Sequence, residues 1–199
     1  MSRSPPPPSP TPETARGLYP LELERTWQPA GAAAPVHIRA LRPDDLALER
    51  RFVETLSPQT LYLRLQYIAA HPTDRDLIRL LDLDHYDQLA IAGLAAGPDG
   101  EEIVGVSRYA RIPGTRRAEC AIVVADGWQG QGLGTELMRT LATAALARDI
   151  DCLEGTTLAE NQRIAAWGRR FGFSVHTEPN SGGLVVIKMD LRSLDQSSG

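Results

Sequence analysis

The sequence DGWQGQGLGTELMR, from Asp126 to Arg139, decides the fold of this chain. It places glycines at the alternate positions 130, 132 and 134, directly before a stretch with helical apolar spacing. The apolar run AIVVA at 121–125 comes before it and is typical of a strand. A helix N-terminus carries unpaired backbone N–H groups and a partial positive charge, and glycines let an anion approach that backbone closely. The order strand, glycine-rich loop, helix therefore predicts an anion-binding loop.

Two common nucleotide-binding patterns do not fit this loop. A G-x-G-x-x-G fingerprint that starts at Gly130 would need a third glycine where Thr135 stands. A P-loop needs a lysine after its last glycine, and Gly134 is followed by Thr135 and Glu136. A loop that only caps a helix remains an alternative, although one glycine would be enough for that purpose.

The rest of the chain predicts an α+β fold with a mixed, mostly antiparallel twisted sheet of about seven strands flanked by helices. Turn residues at 97–100 and 113–115 favour an antiparallel meander, and a β-α-β-α passage with one parallel crossover follows it. The strand candidates are 21–27, 36–41, 88–96, 102–111, 116–125, 152–157, 173–178 and 184–190. The helix candidates are 42–57, 57–68, 74–83, 131–148 and 160–171.

Composition limits the class of protein. The chain has 199 residues, of which 42% are hydrophobic, so we expect one domain at 18–191, a disordered Pro-rich tail at 1–17 and a flexible C-terminus at 192–199. The net charge of -4 gives no general attraction to nucleic acid or to anionic membranes. The N-terminus has no apolar signal segment and no run is long enough to span a membrane, so we expect a cytoplasmic protein. Cys120 and Cys152 are interpreted as buried apolar residues, and the scattered histidines predict no metal site.

The stretch Gln129–Gly134 resembles the Q/R-x-x-G-x-G/A signature of the GNAT acetyltransferases. The later stretch LAENQRIAAWGRRFGF, at 158–173, is similar to the family segment in which an Asn precedes a helix that ends in Gly-Phe. The resemblance covers about residues 19–191. The stretches YPLELE and RRAECAIVVADGWQGQGLG, together with IRALRPDDLALERRFVETLSPQTLYLRL and DHYDQLA, look like the acetyltransferase domain of bacterial protein lysine acetyltransferases of the Pat type.

This resemblance implies the GNAT fold, acetyl-CoA as co-substrate, no metal, and transfer of acetyl to a lysine of a protein such as an acyl-CoA synthetase. It also implies a donor site in which the strand before the loop holds the pantetheine arm and the loop holds the pyrophosphate. Asn161 matches the family Asn, which can bond the pantetheine arm, cap the next helix, or do both. The implied cofactor-binding residues are Ile122, Val123, Val124, Gln129, Gly130, Gln131, Gly132, Leu133, Gly134, Thr135 and Asn161.

Glu119 is the candidate general base. A lysine amine has a pKa of about 10.4, so only about one in 2,500 is neutral at pH 7, and a positioned base is worth about 10²–10⁴-fold in rate. Glu119 stands among small and apolar residues on the strand before the loop, which favours a partly desolvated site, and the family places its catalytic Glu at this point. The alternative is a strand carboxylate paired with Arg117 or Arg108.

Three questions stay open at this level. The family position for a tyrosine that protonates the leaving thiolate falls on Gly168, so no general acid is named. Arg169 and Arg170 either reach the CoA phosphates or form a solvated helix end, and Tyr62, Tyr67, His85 and Tyr86 either line the acceptor side or pack in the core. The acceptor is a protein lysine or, alternatively, a small amine, and a non-catalytic acyl-CoA-binding sensor is the third possibility.

Overall fold

The computed structural model describes residues 17–29, 34–64, 72–177 and 183–195. Their strands are β1 Arg25–Trp27, β2 Val36–Ala40, β3 Gln88–Gly97, β4 Gly100–Arg111, β5 Arg117–Val124, β6 Cys152–Leu158, β7 Ser174–Thr177 and β8 Leu184–Asp190. Their helices are α1 Leu46–Thr55, α2 Pro58–Arg64, α3 Asp74–Leu81, α4 Leu133–Leu146, α5 Gln162–Phe171 and α6 Arg192–Asp195. Short 3-10 turns occupy Leu21–Leu23, Pro43–Asp45 and Asp126–Trp128.

The strands form a single sheet in the order β1-β2-β3-β4-β5-β6-β8-β7, which confirms the α+β expectation. Its eight strands exceed the expected number of about seven, and the last strand of the chain lies between β6 and β7. Every neighbouring pair is antiparallel except β5 and β6, which helix α4 connects as a parallel crossover. The sheet is therefore a meander from β1 to β5 joined to a smaller antiparallel group of β6, β8 and β7.

Among the predicted elements that are shorter than expected, the first strand and the first helix differ for local reasons. The run 21–27 begins as a 3-10 turn, because the N–H of Leu23 donates to Pro20 O and the N–H of Glu24 to Leu21 O, which leaves only Arg25–Trp27 as strand. Helix α1 ends at Thr55 because Leu56 is extended, and the following Ser57-Pro58 starts a new helix.

Apolar side chains cover both faces of the sheet. On one face, α4 buries Leu133, Leu137, Met138 and Leu141 against the central strands. On the other face, α1 and α3 bury Phe52, Leu56 and Leu81. Helix α2 packs beside them against β5 and β6. The two helical layers hold β5 in the centre of the molecule, where its loop and its neighbour β6 form the site.

The two ends of the described chain are attached to the domain. The N–H of Gly17 donates to Asp84 O at 2.7 Å, and residues 1–16 of the expected tail lie outside the described residues. Helix α6 occupies the start of the segment expected to be flexible, of which 196–199 are not described.

Cys120 and Cys152 carry free thiols, the first buried and the second half-buried. Across the described residues, no helix has the length and apolar character that crossing a membrane requires.

Candidate active site

The site begins where β6 leaves β5. The two strands pair only from Arg117–Cys152 to Glu119–Glu154, after which β6 continues beside β8 alone. Gly155 is the first residue past this fork, and a Cβ there would lie 2.8 Å from Cys120 O. Only a glycine therefore lets β6 pass so close to β5 before the two strands separate. Beyond the fork lies a cleft of about 1660 Å³.

The backbone of β5 faces this cleft at alternate residues. Arg117 O accepts from Ile112 N–H and the N–H of Ala125 donates to Val104 O, so the odd-numbered residues direct their backbone groups toward β4. The even-numbered residues therefore direct theirs toward β6, whose pairing has already ended. The backbone N–H and C=O of Ile122 consequently point into the cleft, where an extended ligand can pair with them.

The glycine-rich loop forms the end of the cleft. Gly130 and Gly132 have φ of 81° and 90°, in the left-handed region that favours glycine. The first helical hydrogen bond of α4 runs from the N–H of Glu136 to Gly132 O at 3.1 Å, so the N–H groups of residues 133–135 come before the helical ladder. A Cβ on Gly134 would lie 3.4 Å from Ile122 Cδ1, so the helix start packs closely on β5. The loop thus combines open backbone donors with the positive end of a helix.

Gln129 connects this loop to the far wall of the cleft. Its Nε2 donates to Val124 O at 2.9 Å, and its Oε1 accepts from Arg163 Nη1 at 2.6 Å. Arg163 belongs to the first turn of α5, and a Cβ on Gly130 would lie 4.0 Å from its Nη2. Arg163 is a residue that the sequence did not indicate, because nothing local ties it to a loop 34 residues earlier.

Glu119 lies at the fork and lines the cleft. Ala118 and Cys120 pack toward α4, whereas Val123 packs with Leu61 of α2, so strand alternation puts Glu119 on the α2 side of the sheet. Glu119 is exposed, which differs from the expected partly desolvated site, because β6 turns away directly after it.

The alternative structural partners of Glu119 are engaged elsewhere. Arg117 forms an ion pair with Glu154, which also lies 3.8 Å from Lys188 Nζ. Arg108 Nη2 lies 3.2 Å from Glu49 Oε1, and Arg108 Nη1 donates to Leu80 O. Each of the two arginines that could have given Glu119 a structural role is therefore paired with another carboxylate.

Helix α5 forms a second wall of the cleft, beside the start of α4. Asn161 caps it, since its Oδ1 accepts from the N–H of Ile164 at 3.2 Å. Trp167 Nε1 donates to Thr135 Oγ1 at 3.1 Å and ties α5 to the start of α4. Gly168 is buried, and a Cβ there would lie 3.6 Å from Phe173 Cβ, so this position faces the sheet. Of the two neighbouring arginines, Arg170 lines the cleft and Arg169 lies on the exposed helix end.

Helix α2 forms the side of the cleft on which the acceptor was expected. Asp126 receives hydrogen bonds from the backbone N–H of Ser57, from Ser57 Oγ and from Thr60 Oγ1, at 3.0, 3.0 and 2.9 Å. These bonds, above all that from the Ser57 N–H, hold the pKa of the Asp126 carboxyl below its usual value. Tyr62 of α2 lines the cleft and is 61% exposed, so it is not a core residue. The start of α2 is therefore tied to the turn that precedes the glycine-rich loop.

Of the other aromatic candidates, the described residues His85 and Tyr86 do not reach the cleft. His85 and Tyr86 are buried; the Tyr109 hydroxyl donates to Tyr86 O, and the Tyr19 ring meets the edge of His85 with ring centres 5.5 Å apart. Burial lowers the pKa of His85. Tyr67 lies outside the described residues. For His85 and Tyr86, packing is the role the contacts support.

Most of the predicted site residues meet at this cleft. Those that line it are Glu119, Ile122, Val123, Val124, Gln129, Gly130, Gly132, Gly134, Thr135 and Asn161. Two others do not line it with their side chains. Gln131 Nε2 donates to Gly127 O at 2.7 Å, and the Leu133 side chain is fully buried in the core below the loop. Within the described ranges, no group of three or more potential ligands is placed to hold a metal ion.

Comparisons with known proteins agree with this geometry. The acetyltransferase (GNAT) family matches residues 58–173. An acetyltransferase of Pseudomonas aeruginosa is 32% identical over 157 residues, which cover 78% of this chain and 84% of that protein. The GNAT domain of S. lividans PAT superimposes with a TM-score of 0.78 at 23% identity, covering 87% of this chain and 99% of that one.

A third relative was solved with a ligand. The acetyltransferase yncA of Salmonella typhimurium, in complex with its cofactor acetyl-CoA, superimposes with a TM-score of 0.63 at 16% identity and covers 78% of this chain and 94% of that one. Taken with the fork between β5 and β6 and the glycine-rich loop, the family match confirms the prediction of an N-acetyltransferase. The chain belongs to the GNAT family of acetyltransferases.

Proposed function

We propose that this chain transfers an acetyl group from acetyl-CoA to the side-chain amine of a lysine on a protein such as an acyl-CoA synthetase. The observation that carries the proposal is the position of Glu119, which lines the cleft at the fork and faces the side of α2. The resemblance of the sequence to Pat-type enzymes supports the acceptor class, and the acetyl-CoA bound to the Salmonella relative supports the donor.

The proposed donor would lie in the cleft with its pyrophosphate at the glycine-rich loop and its pantetheine arm along β5. The pyrophosphate would accept hydrogen bonds from the N–H groups of the glycine-rich loop, where the helix dipole of α4 favours negative charge. The pantetheine arm would then extend along β5 and pair with the backbone groups of Ile122, beside which the described residues place no strand. Asn161 uses Oδ1 for its helix cap, which leaves its Nδ2 as a donor to the same arm.

This placement brings the thioester to the fork, beside Glu119. The Glu119 carboxylate would accept a proton from the lysine ammonium, directly or through one water, and the neutral amine would attack the thioester carbonyl. Collapse of the tetrahedral intermediate breaks the C–S bond and expels the CoA thiolate, and the nitrogen loses its extra proton to the departing thiolate or to solvent. Because a thiol has a pKa of about 8.5, the thiolate can leave without a proton donor, which is consistent with a glycine at position 168.

The exposure of the acceptor side favours a large acceptor. Over the part of the chain that the structure describes, Glu119 and Tyr62 are both exposed on the α2 side of the cleft. A small amine is usually recognised in an enclosed pocket that buries most of its surface. A lysine on a folded protein reaches an open site by extending its own side chain, so this geometry supports the protein acceptor.

The proposal is tested by thiol release from acetyl-CoA with a lysine-bearing acyl-CoA synthetase and with a panel of small amines, while CoA binding is measured by calorimetry on the same sample. We expect turnover with the synthetase and incorporation of acetyl on its lysines. Turnover with small amines alone would contradict a protein lysine as the acceptor, although the chain would still act as an N-acetyltransferase. CoA binding without any turnover would indicate a sensor, and the absence of CoA binding would contradict the whole proposal.

A further inference from the structure

We infer that Arg163 binds the diphosphate of the CoA donor from the second wall of the cleft, and that Gln129 is a positioning residue that holds it there. This inference rests on the proposed function, since it requires CoA to be the ligand. It gives Gln129, which the resemblance implied to be a cofactor-binding residue, a positioning role.

The contacts of Gln129 carry the first step. Its amide nitrogen donates to Val124 O at the end of β5, and its amide oxygen accepts from Arg163 Nη1. Both ends of the amide are therefore engaged by the protein. The side chain forms a bridge from the end of the strand to α5 and holds the guanidinium of Arg163, and the proposed effect of Gln129 on a ligand passes through that guanidinium.

The position of Arg163 carries the second step. A Cβ on Gly130 would lie 4.0 Å from Arg163 Nη2, so the guanidinium reaches the glycine-rich loop. A guanidinium has five N–H donors, and the bond to Gln129 uses one of them. The remaining donors have the fork geometry that suits phosphate oxygens. An anion on the loop would then be held between backbone N–H groups on one side and Arg163 on the other.

The other arginines of the cleft are less suited to this role. Arg139 Nη1 is paired with Glu136 Oε2 at 2.5 Å. Arg170 lies seven residues further along α5, about two helical turns or 10 Å from Arg163. Among the described arginines that line the cleft, Arg163 is thus the one held against the loop.

The test compares binding of CoA and 3′-dephospho-CoA by calorimetry in the wild type, Arg163→Gln and Arg163→Lys. We expect Arg163→Gln to weaken both ligands by about 10- to 100-fold, since a hydrogen bond to a charged group is lost, and Arg163→Lys to restore part of that affinity. The matched control is Arg169→Gln on the exposed side of the same helix, which should stay within about 2-fold of the wild type. A wild type that does not bind CoA would refute the proposed function before any variant is compared.

Two outcomes would overturn the assignment itself. Unchanged affinity of Arg163→Gln would show that Arg163 does not contact the donor. A loss confined to CoA, with dephospho-CoA unaffected, would place Arg163 on the 3′-phosphate and not on the diphosphate. Melting curves identify a variant that fails to fold, and the Lys variant, which keeps the charge, then decides the question.

The positioning role of Gln129 is tested by a double-mutant cycle with Gln129→Leu. If Gln129 acts only through Arg163, the double variant binds CoA as weakly as Arg163→Gln alone. If the losses of CoA affinity in the two single variants multiply in the double variant, Gln129 contacts the ligand itself. A general structural defect would also lower kcat/KM with S-acetyl-pantetheine, which has no diphosphate. A role confined to the diphosphate predicts the same kcat/KM with this donor in the wild type, Arg163→Gln and Gln129→Leu.

Discussion

Strand β5 has two neighbours that hold it in different ways. Strand β4 pairs with it from Gly105–Val124 to Arg111–Ala118, whereas β6 leaves it after Glu119–Glu154. The β4 side forms part of a continuous core, and the β6 side opens into the cleft. The same strand thus contributes its paired edge to the core and leaves its other edge open to the proposed donor. The change occurs at one point, where Gly155 lets β6 approach and then diverge.

The largest effect on stability is expected from Gly155→Ala. A Cβ there would lie 2.8 Å from Cys120 O, a backbone atom that cannot move alone, so the fork must open. We expect the free energy of unfolding to fall by about 1–3 kcal/mol, measured by urea denaturation. Gly127→Ala is the control, since no atom lies within 4 Å of its added Cβ. Equal stability of the two variants would contradict the close approach at the fork.

Gly132→Ala should have the next largest effect and should act on both stability and binding. Its φ of 90° strains any side chain, at a cost of about 1–2 kcal/mol in the free energy of unfolding. Gly114→Ala is the matched control, because its φ of 72° imposes a similar strain in a turn far from the cleft. We expect both variants to lose stability and only Gly132→Ala to bind CoA more weakly. If Gly132→Ala and Gly114→Ala lose CoA affinity to the same extent, backbone strain alone explains the loss.

Trp167→Phe should have a smaller effect on stability. The variant keeps a six-membered aromatic ring but removes the indole N–H that donates to Thr135 Oγ1. The bond joins the two helices that form the walls of the cleft. We expect a loss of about 0.5–1.5 kcal/mol in thermal unfolding, and no further loss when Thr135→Val is added. Additive losses in the double variant would show that the two side chains do not interact.

The smallest effect concerns Asp126, whose bonds to Ser57 and Thr60 tie α2 to the loop. Its pKa is lowered in the folded state, so its contribution to stability is complete above the unfolded value of about 3.9 and is lost as the pH falls through the lower folded value. Since Asp126 is exposed, screening by solvent keeps this contribution below about 1 kcal/mol. Asp126→Asn should therefore be slightly less stable than the wild type at pH 7 in urea denaturation, and the difference should shrink as the pH falls towards 2. A difference that persists at pH 2 would contradict this origin.

Local patterns made the donor side predictable. The glycines at 130 and 132 need positive φ, and the apolar spacing after them buries Leu137 and Leu141, so sequence alone located the loop and α4. The place of Glu119 on the strand before the loop was predicted as well, from the small and apolar residues around it and from the resemblance, while its role as the base stays a prediction. Its exposure was not predicted, since it depends on where β6 diverges, and that follows from the pairing of β6 with the distant strand β8.

Contacts between segments that are remote in sequence account for the other features that the sequence did not predict. The pairing of Gln129 with Arg163 joins two walls that meet only in the folded sheet, so no spacing in the sequence could indicate it. Tyr62 belongs to an apolar helical pattern that predicts a core residue, but the end of α2 projects it into the cleft. The position of β8 between β6 and β7 is likewise a matter of topology that hydrophobic periodicity does not contain.

The central claim is that β5 binds the donor with its open edge and supplies the base from its last paired residue. It is tested most directly by measuring CoA binding and acetyl transfer on the same preparation of Glu119→Gln, with the acyl-CoA synthetase as acceptor. We predict that kcat falls by about 10²–10⁴-fold while the Kd for CoA stays within about 2-fold of the wild type. A variant that retains wild-type turnover would contradict the assignment of Glu119 as the base.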